Sequence, residues 1–91
     1  MKRYLVIIEG RVQGVGMRSF CTIQAQKRGL TGSVKNLENG MVEVYVQGDE
    51  EKIDDFLAEI EKGNQFIRVD NISVKQVEIK EGESRFSYSY Y

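Results

Sequence analysis

"GSVKNLENGMVEVYVQG", residues 32–48, is the stretch on which the fold of this chain turns. Apolar and polar residues alternate on both sides of Asn39-Gly40, which is the pattern of a β-hairpin. A two-residue Asn39-Gly40 turn would put Lys35 on the face of Val42, Val44 and Val46. A three-residue loop, Glu38-Asn39-Gly40 with Gly40 left-handed, moves the pairing by one residue, and such a slip turns every side chain to the other face. Val34 then faces Val44, Asn36 faces Val42, Lys35 meets Glu43 with opposite charge, and Leu37 meets Met41. The second register satisfies more side chains and is the one expected. It places Asn36 on the valine face, near the end of its strand.

A helix flanks the hairpin on each side. "RSFCTIQAQKR", residues 18–28, reads as a short helix with Phe20 and Ile23 inward and Cys21 and Ala25 as further candidates for that face. Lys27 and Arg28 suit the negative end of its dipole, and Gly29 ends it. In "DEEKIDDFLAEIEKG", residues 49–63, Ile53, Phe56, Leu57 and Ile60 repeat at i, i+3, i+4 and i+7 and give one apolar face. Asp49 can cap that helix, acidic residues fill its first turn, and Lys62-Gly63 closes it.

Further out lie strands. "RYLVII", residues 3–8, is continuously apolar and reads as a central strand buried on both faces. "VDNISVKQVEIK", residues 69–80, changes apolar phase between Val74 and Val77, where a β-bulge is expected. "RFSYSYY" alternates Phe86, Tyr88 and Tyr90 as a short terminal strand, and Tyr88, Tyr90 and Tyr91 are expected to cover the sheet edge. The order is strand–helix–strand–strand–helix–strand with a tail strand. That is an α+β, ferredoxin-like βαββαβ sandwich: one antiparallel sheet with both helices on one face, given right-handed crossovers. Residues 1–91 are expected to form a single domain.

Composition narrows the function. With 41% apolar and 30% charged residues and a net charge of −1, the chain has no basic footprint for nucleic acid or a membrane surface. The apolar run Tyr4–Ile8 is too short for a membrane span or a signal segment, so a cytoplasmic protein is the expectation. Cys21 is the one cysteine and histidine is absent. No internal disulfide can form, and the commonest general base and metal ligand are missing. Cys21 reads as a small apolar helix residue, because a nucleophilic role needs a base partner that is not evident.

The candidate chemistry lies in "GRVQGVGMRSF", residues 10–20, which joins the first strand to the first helix. Glycines let successive amides curl into an anion-holding nest, the helix dipole adds favourable potential, and Arg18 offers a planar fork of donors. The loop lacks the endings of a nucleotide P-loop or a dinucleotide loop. From the residues alone, two readings stand open: a tight turn, or an anion nest. Asn36 has two readings as well, a strand-end residue bonding nearby backbone or a polar partner of the loop.

"GRVQGVGMR" followed by "AQKRGLTGSVKNLENGMVEV" resembles the acylphosphatase family over residues 9–48. The resemblance implies a small ferredoxin-like domain that hydrolyses acyl phosphates. It implies that Gln13, Gly14, Val15, Gly16, Met17 and Arg18 bind the substrate phosphate through backbone amides. Arg18 would be the phosphate arginine, and Asn36 would position the attacking water. Met17 departs from the family's usual phenylalanine, and "GNQF" after the second helix departs from a proline-containing stretch. The expected partner is a small-molecule acyl phosphate, with no nucleic acid and no membrane, acting on a monomer without metal or cofactor. The alternatives are a non-catalytic phosphate or carbamoyl-phosphate module, as in larger carbamoyl-transfer maturation enzymes, and an RNA-binding module using Tyr45 on the open sheet face.

Overall fold

In a computed structural model, which describes residues 1–89, the elements follow in the expected order. They are β1 (Lys2–Arg11), α1 (Met17–Lys27), β2 (Thr31–Asn36), β3 (Val42–Gly48), α2 (Glu50–Lys62), β4 (Arg68–Val77) and β5 (Phe86–Tyr88). They build one sheet of order β4-β1-β3-β2-β5. The pairs β1–β3, β1–β4 and β2–β3 are antiparallel. β5 is the exception and runs parallel to β2, so the sheet is mixed. Tyr90 and Tyr91, expected to extend the tail strand over the edge, lie outside the described residues.

The hairpin takes the three-residue loop. Val34 pairs with Val44, Lys35 with Glu43 and Asn36 with Val42, and the Leu37 amide donates to the Met41 carbonyl at 2.8 Å. Gly40 has φ 90°, in the left-handed region that this loop requires. The register fixes which face is apolar. Val6, Ile8, Val34, Val42, Val44 and Val46 of the sheet bury against Cys21 and Ala25 of α1 and against Ile53, Phe56 and Ile60 of α2.

Three expectations need correction. Ile23 is 55% exposed, and the inward stripe of α1 is Met17, Cys21 and Ala25. At 3.6 residues per turn, Ile23 lies about 200° round from Cys21, on the opposite side of the helix. The small side chains at 21 and 25 let the helix approach the sheet, which larger ones would not. Second, β1 is central, but only its helix side is fully apolar and buried. Val6 and Ile8 are inside, while on the other face Arg3 is buried and Leu5 and Ile7 are half-buried. Third, the bulge is at Asp70. Pairing with β1 passes from Glu9–Asn71 to Gly10–Val69 and leaves Asp70 over. The apolar phase change at Val74–Val77 is a surface property: β4 is an edge strand and Val74 is 47% exposed.

Candidate active site

β1 ends at Arg11, and α1 begins at Met17 behind Gly16, its N-cap. Gly14 has φ 74° and Gly16 φ 82°, both in the region that side-chain-bearing residues avoid. An added Cβ would meet nothing within 4 Å at either. It is the turn, and not crowding, that calls for glycine, and the space outside the turn is open. Gly16 offers no side-chain cap to α1, and no acidic residue stands in its first turn. The positive end of the helix therefore faces outward without carboxylate neutralisation from its own sequence.

Two other segments reach the same end of the sheet. β2 runs towards it and finishes at Asn36. β5, lying parallel beside β2, pairs Tyr88 with Val34, and the Ser89 amide donates to the Val34 carbonyl at 3.0 Å. Together they close a cleft of about 70 Å³ lined by Val12, Gly14, Gly16, Met17, Arg18, Asn36 and Tyr88. At about 30 Å³ per water, that is room for a small tetrahedral anion. Among the described residues, no carboxylate lines the cleft. A larger hollow of about 270 Å³ lies beneath residues 80–87 and shares no residue with the loop.

The six loop residues singled out in the sequence divide here. Gly14, Gly16, Met17 and Arg18 line the cleft. Gln13 does not. Its Nε2 donates to the carbonyls of Leu37 at 2.7 Å and Met41 at 2.9 Å, which ties the loop to the base of the hairpin turn. Val15 packs against the core. The Met17 side chain is fully buried under the loop, where a long flexible thioether fills core space. Arg18 donates from Nη1 to the Ser89 carbonyl at 2.6 Å, and its guanidinium carbon lies 4.9 Å from the centre of the Tyr88 ring.

Tyr88 was read in the sequence as an edge residue, and its place in the cleft was missed. The Phe86/Tyr88 alternation signals a strand, but nothing in it says which strand it joins or in which direction. Cys21 is fully buried in the core cluster, and burial pushes its thiol up to about 12. It stays protonated at neutral pH and is not among the residues lining the cleft.

Comparison with known proteins agrees with this geometry. The family model described as Acylphosphatase matches residues 4–88. The chain is 48% identical over 90 residues to an acylphosphatase of Clostridium beijerinckii, covering 99% of this chain and 100% of that protein. It superimposes on the crystal structure of acylphosphatase from Bacillus subtilis with a TM-score of 0.93 at 42% identity, covering 99% of this chain and 100% of that one. It also matches 12% of the length of full-length HypF in its phosphate- and nucleotide-bound form, with a TM-score of 0.86 at 37% identity over 97% of this chain. The glycine loop, Arg18 and Asn36 thus sit in a chain that belongs to the acylphosphatase family.

Proposed function

We propose that the protein hydrolyses the carboxyl–phosphate bond of acyl phosphates, with Arg18 and the loop holding the phosphoryl group and Asn36 orienting the water. The observation that carries this reading is the convergence of Arg18, Asn36, Gly14 and Gly16 on one small cleft that no carboxylate lines among the described residues. Family membership supports acyl-phosphate hydrolysis, and the residue roles are those the family resemblance implies, with which the chemistry is consistent.

An acyl phosphate is a mixed anhydride. Its leaving group is a carboxylate whose conjugate acid has a pKa of about 4, so it departs without being protonated. Phosphoryl transfer then asks the protein for position and charge stabilisation. Amides of the loop and the guanidinium of Arg18 meet the equatorial oxygens, where charge shifts as the bond breaks. The Asn36 side chain holds a water in line, opposite the leaving carboxylate. The proton lost by the water passes to a phosphate oxygen of the substrate, which leaves as inorganic phosphate. A histidine-free chain suits such a reaction, since every proton has a place to go.

Base-stacking on Tyr45 is the competing use of the sheet. That ring already carries the Arg3 guanidinium at 5.0 Å, which favours the cleft reading over an RNA platform. The test is hydrolysis of a synthetic acyl phosphate, with inhibition by inorganic phosphate as the measure of binding. Arg18→Ala should lose both turnover and phosphate inhibition, and Asn36→Ala should lose turnover while phosphate still inhibits. Near-normal turnover in either folded variant removes that residue from its role.

A further inference from the structure

We propose that Tyr88 is a positioning residue for Arg18, holding the guanidinium at the cleft wall so that its remaining donors face the anion. This rests on the reading of Arg18 as the phosphate-binding group. A guanidinium carries five N–H donors in a fixed plane. One is committed to the Ser89 carbonyl at 2.6 Å, and the cation lies over the Tyr88 ring at 4.9 Å. A long arginine side chain otherwise samples many rotamers, and ordering it on binding costs affinity. A carbonyl on one side and a ring on the other hold it in a narrow range of orientations before substrate arrives. Tyr88 itself lines the cleft, so the hold acts at the point of use.

The rest of the fold keeps the ring in place. Residues 78–85 cross the open face of the sheet on their way to β5 and are clasped there. Arg3 Nη1 meets Glu83 Oε1 at 2.8 Å and Gln47 Oε1 at 3.1 Å, and its guanidinium lies over Tyr45. Gln47 in turn bonds the Lys80 backbone twice, at 2.8 and 3.2 Å. The Arg3 and Glu83 side chains are only 8% and 10% exposed, so the pair is largely shielded from water and salt. At the far end Phe86 is buried, with its ring 6.4 Å from that of Phe56. Tyr88 is thus delivered to Arg18 by a strand fixed at its entry and along its inner face.

The test compares Tyr88→Phe, which keeps the ring face, with Tyr88→Val, which keeps strand propensity but loses the face. Both are assayed beside Arg18→Ala with a synthetic acyl phosphate and with inorganic phosphate as inhibitor. A cation–π contact of this kind is worth about a factor of two to thirty. Tyr88→Val should therefore raise both KM and the phosphate inhibition constant by about tenfold, with a smaller change in kcat, while Tyr88→Phe stays within about twofold of the parent. Proton NMR gives a second readout: ring-current shifts on the Arg18 side chain should persist in Tyr88→Phe and vanish in Tyr88→Val. If Tyr88→Val is too unstable to assay, Tyr88→Met serves as the ring-free variant. Unchanged phosphate inhibition in the ring-free variant overturns the proposal, and so does an equal loss in Tyr88→Phe. Phosphate inhibition surviving in Arg18→Ala overturns instead the reading of Arg18 on which it rests.

Discussion

The two helices of this chain begin in opposite ways. α2 starts at Asp49, whose carboxylate accepts from the amides of Glu51 and Lys52, with Glu50 and Glu51 adding negative charge to the first turn. α1 starts at Gly16, with no side-chain cap and no acid in its first turn. A cap is worth about 1 kcal/mol and first-turn acids add a few tenths more. α2 takes that stabilisation from its own sequence. α1 forgoes it and leaves the same amides and the same dipole to face a cleft that also holds Arg18. One physical device serves stability at one end of the molecule and is left open at the other.

The contrast can be broken from the α1 side. Ser19 lies in the first turn of α1 and is exposed. Ser19→Glu supplies the acid that α2 already has. It should raise KM for an acyl phosphate by about tenfold at low ionic strength, from repulsion of a dianion bound at the open helix end, with the effect shrinking as salt is added. Thermal stability should rise slightly in the same variant, by less than about 1 kcal/mol. A KM that does not move would show that the open helix end plays no part in binding.

From the other side, Asp49→Ala opens α2. Denaturant unfolding should show a loss of about 1 kcal/mol, with kcat/KM unchanged. A change in kcat/KM would mean that the two helix ends are not separable. The smallest effect at neutral pH concerns the buried flank of α1. The folded protein holds the Cys21 proton more tightly than the unfolded chain, because burial raises the thiol to about 12 from 9.0. Its contribution to stability is complete below pH 9 and is lost as pH rises towards 12. Cys21→Ala should therefore weaken the alkaline fall in unfolding free energy, leaving the curve below pH 8 parallel to that of the parent.

What the sequence disclosed followed from local rules. The hairpin register was legible because only one pairing puts Lys35 against Glu43 and keeps the valines together, and α2 was legible from its apolar spacing. Arg18 and Asn36 were legible as candidates because loop chemistry and register are both short-range. The inward face of α1 was legible only in part: Phe20, Cys21 and Ala25 lie on it, and Ile23 does not. Cys21 and Ala25 are weakly hydrophobic, and Ile23 outweighs them in any apolar count, yet close packing against the sheet favours small side chains. The parallel partner of β5 was hidden for another reason. Edge pairing across more than fifty residues leaves no periodic mark, so Tyr88 could be seen as strand and not as cleft wall.

The cleft has one more consequence, which concerns time and not geometry. Its walls come from five residues between Val12 and Arg18, from Asn36 and from Tyr88. Contacts spanning such separations carry a loop-closure cost that the rest of the fold must meet. Recovery of turnover during refolding should therefore report on molecules in which these three segments have come together.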